Sequence, residues 1–290
     1  MRIIDAHVHL YPAEVNADPA GWAAAQSEAH WARLCTRRRR DGHPVQGFPA
    51  VDGLLRAMDA AEVERSILLG WYWEKPATCG WQNRFFADCV RAHPDRLAAF
   101  ATVHPAAGRE ATLAEVRRAH GDGLIGLGEL SPHSQHVPPD DPGWHDVLTL
   151  AAELRLPVNL HVTEPEARPF PGRVDTPLED FVRLAQAHPT VTFILAHWGG
   201  GLDITPLPNV LVDTAAAPLI YGDKVWSRLG RDVPPERVLF GSDFPLDLYP
   251  RSQPGAGVKP FIAEAAANVA DSLARTALFS GNARRLFGWA

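Results

Sequence analysis

The sequence opens with RIIDAHVH over residues 2–9, a short β-rich run that leads into two histidines. Side chains alternate in direction along an extended backbone, so His7 and His9 project from the same face of the strand and can bind one ion together. Seven further β-rich runs follow, and segments with a helical pattern separate them. The eight predicted strands cover residues 2–6, 65–70, 97–103, 124–129, 157–161, 191–197, 209–213 and 237–243.

The segments between these runs predict crossover helices. Apolar residues three and four positions apart occur over residues 176–188 and at Leu54, Leu55, Met58 and Ala61. Strands that alternate with helices in this way form a parallel sheet. We therefore expect residues 1–290 to form a single α/β domain, a (β/α)₈ TIM barrel. The rival architecture, a doubly wound open sheet, is disfavoured because no glycine fingerprint follows the first strand.

The composition is that of an ordinary globular protein. Of the 290 residues, 46% are hydrophobic and 21% are charged, which suits one barrel of typical size. A net charge of −6 gives no attraction to nucleic acid or to an anionic membrane, and no apolar run approaches the roughly 20 residues that cross a bilayer. We expect a small-molecule substrate and, without a signal-peptide pattern at the start, a cytoplasmic location. Three cysteines without metal-finger spacing are expected to be reduced structural thiols: Cys35, Cys79 and Cys89.

Histidines and acids recur where the predicted strands end. Glu129 ends the fourth run, His161 the fifth, His197 the sixth and Asp243 the eighth. The carboxyl ends of the strands of a parallel barrel open onto one face, where the active sites of such barrels lie. One such residue alone is more often a hydrogen-bonded structural group, but the joint pattern with the first-strand histidine pair favours a metal site. Imidazole and carboxylate suit a divalent ion, with Zn²⁺ expected first and Mn²⁺ as the alternative.

Several stretches give the chain a resemblance to a known family. They are DAHVH at residues 5–9, LH at 160–161, LAHWGG at 195–200, FGSDFP at 240–245 and GNARRLFG at 281–288. In this order and spacing, the chain resembles the amidohydrolase superfamily, and in particular the amidohydrolase-related branch that contains aminocarboxymuconate-semialdehyde decarboxylase. The resemblance runs from end to end apart from the segment after the first strand.

The resemblance implies roles for the residues at the strand ends. The family's metal ligands from the first, fifth and eighth strands correspond to His7, His9, His161 and Asp243. The sixth-strand histidine is a ligand in two-metal members and assists proton transfer or polarises substrate in one-metal members, so His197 can be either. A fourth-strand carboxylate bridges the two ions in some members, and Glu129 occupies that position. Many decarboxylases of the branch lack this carboxylate, so its presence favours hydrolysis.

Residues 11–51 form an unusually long segment between the first strand and the first crossover helix. This insert contains Trp22, Trp31 and a run of four arginines over residues 37–40. Because loops that follow barrel strands form the catalytic face, we expect the insert to border the metal pocket as a partial lid. One arginine of the insert is a candidate to bind an anionic group of the substrate: Arg33, Arg37, Arg38, Arg39 or Arg40. A solvated face is the simpler interpretation of the arginine run.

Other candidate substrate contacts follow the strand ends. Trp71 and Trp73 come after the second strand, His133 after the fourth and Arg251 after the eighth. Aromatic rings can stack on a substrate, and a guanidinium can donate two parallel N–H hydrogen bonds to a carboxylate. Packing beneath a loop, or a position on the surface, is the alternative for these residues.

Taken together, the pattern predicts a metal-dependent hydrolase that acts on an amide, ester or lactone bond of a small, carboxylate-bearing molecule. Asp243 would take a proton from water and pass it to the leaving group, with His197 beside it. A lyase that decarboxylates or hydrates an unsaturated or aromatic acid is the first alternative, and a non-catalytic barrel is the second. Two ions bridged by Glu129 would favour the hydrolase, and one ion with Glu129 unliganded would favour the lyase. Members of the branch often form dimers, so the resemblance also raises a homodimer as an expectation.

Overall fold

A parallel eight-stranded barrel forms the centre of the molecule. The computed structural model describes residues 2–165, 167, 169–249 and 257–290, and within them each strand pairs with the next in chain order. This confirms the predicted (β/α)₈ barrel. The strands are β1 (Ile3–Val8), β2 (Val63–Leu68), β3 (Leu97–Ala101), β4 (Gly126–Leu130), β5 (Val158–Leu160), β6 (Phe193–Leu195), β7 (Val210–Asp213) and β8 (Val238–Leu239).

The barrel closes through the segment that follows β8. The Ala6 N–H donates to Phe240 O at 2.8 Å, and the Asp243 N–H donates to His7 O at 3.0 Å. A further bond runs from the His9 N–H to Phe244 O at 2.7 Å. These bonds attach residues 240–244 alongside β1, so Asp243 is held next to the first-strand histidines.

Helices cover the outside of the barrel. The predicted helical patterns are confirmed, since Leu54, Met58 and Ala61 form the buried face of α4, and α8 buries Phe181 and Leu184. The α-helices are α1 (Ala13–Ala17), α2 (Pro19–Gln26), α3 (Ala29–Cys35), α4 (Val51–Ala61), α5 (Pro76–Ala92), α6 (Arg109–Gly121), α7 (Pro142–Leu154), α8 (Leu178–Ala187), α9 (Ala196–Gly199), α10 (Ala217–Ile220), α11 (Lys259–Asn268), α12 (Ser272–Thr276) and α13 (Asn282–Phe287). Of these, α9 is a single turn with positive φ at His197 and Trp198. Short 3₁₀ turns span Pro105–Ala107, Gly222–Arg228 and Pro235–Arg237, and a π turn spans Ala277–Gly281.

The hydrophobic core divides between the two faces of the strands. On β2, Leu68 belongs to a large cluster with the surrounding helices, whereas Ile67 belongs to a smaller cluster that also contains Phe100. This alternation is what a pleated strand with both faces buried produces. Phe287 and Trp289 at the C-terminus pack against the smaller cluster. No described helix is long and apolar enough to cross a membrane.

Residues 11–51 form the insert, which contains α1, α2 and α3. Its aromatic side chains pack with those that follow β2: the ring centroids of Trp22 and Trp73 are 5.3 Å apart, and those of Tyr11 and Trp31 are also 5.3 Å apart. Tyr11, Trp31 and Trp73 are fully buried. Large aromatic side chains dominate the burial energy of such clusters. The insert is therefore a packed part of the domain and not a loose loop.

Two carboxylates tie the insert to the segment after β2. The buried Glu28 side chain accepts the backbone N–H groups of Glu74 at 2.8 Å and Lys75 at 3.2 Å. The Glu74 carboxylate in turn accepts the His30 N–H at 2.7 Å. Across the mouth of the barrel, His30 Nε2 lies 2.9 Å from Gly172 O in the segment after β5. These contacts fix the insert at the carboxyl ends of the strands.

Candidate metal centre

The structure brings together all six side chains that the sequence predicts as ligands. His7 lies in β1 and Glu129 in β4, while the other four follow the strand ends: His9, His161, His197 and Asp243. The last two adopt positive φ values, 56° for His197 and 62° for Asp243. β6 and β8 end earlier than predicted, at Leu195 and Leu239, and positive φ takes His197 and Asp243 out of the extended conformation.

One group of ligand atoms surrounds the first-strand histidines. The Nε2 atoms of His7 and His9 are 3.2 Å apart. Asp243 Oδ1 lies 3.7 Å from the first and 3.6 Å from the second. Glu129 Oε2 lies 4.0 Å from His7 Nε2 and 3.6 Å from His9 Nε2. Two imidazole nitrogens and oxygens of two carboxylates therefore face a common point.

A second group lies on the other side of Glu129. Its Oε1 atom is 2.8 Å from His161 Nδ1 and 3.4 Å from His197 Nε2, and these two nitrogens are 3.3 Å apart. The two oxygens of one carboxylate thus face different histidine pairs. Within each of the groups His7–His9–Glu129 and Glu129–His161–His197, the ligand atoms lie within 4.8 Å of one another.

The hydrogen bonds of the histidines show that the centre suits a cation. His7 Nδ1 lies 2.9 Å from Asp213 Oδ2, His9 Nδ1 lies 3.2 Å from Leu69 O, and His197 Nδ1 lies 3.0 Å from Ala215 O. Each acceptor assigns a proton to Nδ1, so each neutral ring carries a lone pair on Nε2. Those lone pairs face one another and Glu129, an arrangement that is repulsive unless a positive charge sits between them.

The electrostatics of the metal-free centre agree with this conclusion. Burial lowers the pKa of His7, but the charges of Asp213, Glu129 and Asp243 outweigh it and raise the pKa to about 10. Burial likewise opposes protonation of His197, yet the Glu129 carboxylate beside it helps to raise its pKa to about 9. Burial raises the pKa of Glu129, but the neighbouring imidazoles, His161 foremost, hold it well below its usual range. The pKa of His9 is lowered, by burial and by His7.

Two buried aspartates that the sequence analysis did not single out support the ligands. Asp213 ends β7 and accepts from His7, and Asp5 accepts the hydroxyl of Ser242 at 2.5 Å beside Asp243. Burial raises the pKa of Asp5 to about 6, although its hydrogen bonds with Ser242 and His7 oppose the rise. Asp213 carries the same signal as the predicted ligands, because it is the last residue of a predicted strand.

A cavity of about 900 Å³ lies over the centre. The insert contributes a group of residues to its wall, and the segment after β5 and the residues after β7 contribute others. The insert residues are His30, Leu34, Cys35, Arg37, Val45 and Gln46. Six residues of the insert therefore lie in the cavity wall, while the insert's part in an active site and its action as a lid stay predictions.

The predicted substrate contacts divide into two groups. Trp71 and Arg37 line the cavity. Trp73 does not, because its fully buried indole N–H donates to Gln82 at 2.6 Å and its ring packs in the aromatic cluster of the insert. His133 also lies outside the lining, where its Nε2 is 2.8 Å from Asp180. Trp73 is thus held by packing and His133 by its contact with Asp180, and a substrate contact of either side chain stays a prediction; Arg251 lies outside the described residues.

Two basic side chains of the cavity wall, Arg37 and Lys224, have no carboxylate partner in the described part of the chain. Arg173 pairs with Asp175 at 3.0 Å and Arg228 with Asp232 at 3.1 Å. Arg37, by contrast, has no carboxylate partner in the described part of the chain; its guanidinium lies 4.8 Å from the ring centre of Phe170, and its Nε is buried without an acceptor. Burial lowers the pKa of Arg37. A half-buried cation of this kind can receive an anion from the cavity.

Comparisons with known proteins agree with the fold. A family model described as Amidohydrolase matches residues 4–289. No curated protein sequence matches the chain. Among solved structures, 5-carboxyvanillate decarboxylase from Sphingomonas paucimobilis is 17% identical, with a TM-score of 0.72 over 100% of this chain and 99% of its own. A "probable 2-pyrone-4,6-dicarboxylic acid hydrolase" from Acinetobacter baumannii is 16% identical, with a TM-score of 0.66 and full coverage of both chains. 4-Oxalomesaconate hydratase from Rhodopseudomonas palustris is also 16% identical, with a TM-score of 0.66 over 99% of this chain and 95% of its own.

The pKa values predict that metal uptake releases protons. Near pH 7 the metal-free protein holds an extra proton on His7 and on His197, whose pKa values are about 10 and about 9. Both protons must leave before the nitrogens can bind an ion. We expect uptake of Zn²⁺ at pH 7 to release about two protons, as pKa values above the working pH require. Affinity should therefore rise as the pH rises.

Calorimetric titration of the metal-free protein in buffers of different ionisation enthalpy measures this release. The variant His7→Gln should release about one proton fewer, because it lacks one of the two raised groups. A binding heat that does not depend on the buffer would show that the histidines are already neutral at pH 7.

Proposed function

Because the chain belongs to the amidohydrolase family, we propose that it is a metal-dependent hydrolase that cleaves an amide, ester or lactone bond of a small, carboxylate-bearing molecule. The observation that carries the proposal is the position of Glu129, whose two oxygens face two different histidine pairs. A carboxylate in that position can bridge two ions. Paired ions suit the activation of water for attack on a carbonyl group.

The ligand sets follow from the two groups of atoms. His7 and His9, with Asp243 and one oxygen of Glu129, would hold the first ion. His161 and His197, with the other oxygen of Glu129, would hold the second. Imidazole and carboxylate ligands favour Zn²⁺, and Mn²⁺ is the next candidate. In this reading His197 is a ligand, because its Nδ1 proton is engaged by Ala215 O and its Nε2 lone pair faces Glu129.

Asp243 is the residue placed to move protons. Divalent ions at this centre would polarise a carbonyl group and lower the pKa of water toward neutrality. The Asp243 side chain is 15% exposed and lines the cavity, whereas the Glu129 side chain is 2% exposed. Asp243 can therefore use one oxygen beside the histidines and turn the other toward the substrate. There it would accept a proton from water and deliver it to the leaving group.

Arg37 supports a substrate that bears a carboxylate. The guanidinium is in the cavity wall, stacks on Phe170 and has an Nε without an acceptor among the described residues. A carboxylate matches the donor fork of a guanidinium, and its charge would offset the cost of the partly buried cation. The names of the similar structures agree with this class, because they describe enzymes of carboxyvanillate, pyrone dicarboxylic acid and oxalomesaconate.

A lyase acting on an unsaturated or aromatic acid is the second candidate. The observation that favours it is the fold likeness to a decarboxylase and a hydratase. Both functions need a metal centre at the carboxyl ends of the strands, so the fold alone does not separate them. A single tightly bound ion with Glu129 outside its coordination would favour the lyase.

An activity panel separates the two functions. We expect protein loaded with Zn²⁺ or Mn²⁺ to hydrolyse at least one amide, ester or lactone among small carboxylic acids. Asp243→Asn should lower kcat by about 10²- to 10⁴-fold, the range that a general base contributes. The matched control Asp175→Asn changes an exposed carboxylate whose partner is Arg173, and should keep most of the activity. Release of CO₂ or hydration of a double bond, without any hydrolysis, would favour the lyase instead.

Arg37 has its own test once a substrate is known. Arg37→Ala should raise KM by about 10- to 100-fold and change kcat less, because it removes a charged hydrogen bond worth roughly 1.5–3 kcal/mol in binding. Arg37→Lys keeps the charge but not the donor fork, so it should recover part of the affinity. Equal KM values for the three proteins would remove Arg37 from the substrate site.

A further inference from the structure

Asp213 contacts both halves of the candidate centre. It is the last residue of β7 and is fully buried. Its Oδ2 atom lies 2.9 Å from His7 Nδ1, and its Oδ1 atom accepts the backbone N–H of His197 at 3.1 Å. The remaining acceptor positions are filled by Asn159 Nδ2 at 3.0 Å on Oδ2 and by the Ala215 N–H at 3.0 Å on Oδ1.

We propose that Asp213 is a positioning residue that couples the two metal subsites, with one oxygen orienting His7 and the other holding the turn that carries His197. The inference rests on the proposed two-ion centre and adds a coupling between its halves. Asp213 lies outside both ligand groups, so it acts through the ligands and not on the substrate.

The His7 half of the coupling depends on the ring tautomer. A carboxylate oxygen accepts, so His7 must present the Nδ1 proton to Asp213 and keep its lone pair on Nε2. Nε2 is the nitrogen that faces His9 and the two carboxylates. Partners of this kind fix the orientation of a ligating histidine, and their loss typically costs 10- to 100-fold in metal affinity.

The His197 half depends on the backbone. His197 and Trp198 both have positive φ values, 56° and 58°, which non-glycine residues adopt at a cost. The bond from the His197 N–H to Asp213 and the bond from the Tyr221 hydroxyl to His197 O, at 3.0 Å, hold this turn. The turn directs His197 Nε2 toward Glu129 and His161.

Two substitutions separate the halves. In Asp213→Asn, the amide oxygen can still accept from the His197 N–H, but the NH₂ group faces His7 Nδ1 as a donor. The ring must then carry its proton on Nε2, so Zn²⁺ affinity at the His7–His9 subsite should fall about 10- to 100-fold while the other subsite is retained. Asp213→Ala removes both contacts, and both affinities should fall.

Calorimetric titration of the metal-free proteins with Zn²⁺ measures the two affinities. Histidine ¹⁵N NMR of the Zn²⁺-loaded proteins reports the state of the His7 ring, which should change from Nδ1–H with a metal-bound Nε2 in the wild type to Nε2–H without bound metal in Asp213→Asn. The control Asn282→Ala removes a buried side chain that donates to Pro235 O and Val238 O, both at 2.7 Å, and that makes no hydrogen bond to a predicted ligand in the described part of the chain. It should lower stability and leave both affinities unchanged.

The outcomes separate this inference from the proposed function. Two ions in the wild type, with both affinities and the His7 tautomer unchanged in Asp213→Asn, would overturn the coupling alone. A wild-type protein that binds one ion would contradict the two-ion centre and the coupling with it. If Asp213→Ala does not fold, the near-isosteric Asp213→Asn variant tests the inference alone, since the protonation pattern of the His7 ring can be read in any folded variant.

Discussion

Three imidazole lone pairs and the two oxygens of Glu129 point at one another inside the barrel, and the rest of the site depends on this constraint. Electron-rich atoms at 3.2–4.0 Å repel unless protons or metal ions lie between them. In the metal-free protein, protons on His7 and His197 reduce this repulsion, which is why the pKa values of both residues are raised. Divalent ions would reduce the repulsion further, because each ion can bind several of these atoms at once.

The sequence predicted much of this arrangement because strand ends are easy to recognise in a parallel barrel. The eight runs were found, and His161, His197 and Asp243 were placed at the correct end of the barrel. β6 and β8 are shorter than the predicted runs, since β-rich composition does not reveal where strand pairing stops. A sequence also does not show that the insert folds back and buries the ring of Trp73 in its aromatic cluster. Asp213 ends a predicted strand, but its role comes from the residues that it contacts.

The insert and the residues after β5 and β7 line the cavity over the candidate centre. Structures that are 16–17% identical share the fold, yet their names describe a decarboxylase, a hydrolase and a hydratase. Reaction and substrate are therefore set by the loops and ligands at the carboxyl ends of the strands. Here the aromatic cluster and Glu28 fix the insert, and the fixed insert holds Arg37 in the cavity wall beside Phe170.

The two-ion centre is tested by a crystal structure of the metal-loaded protein with anomalous diffraction data recorded at the absorption edge of zinc. We expect two peaks about 3.5–4 Å apart, the separation typical of two-metal sites. One should lie at His7 and His9 and the other at His161 and His197, with Glu129 between them. A single peak bound by His7, His9 and Asp243, with Glu129 uncoordinated, would contradict the central claim.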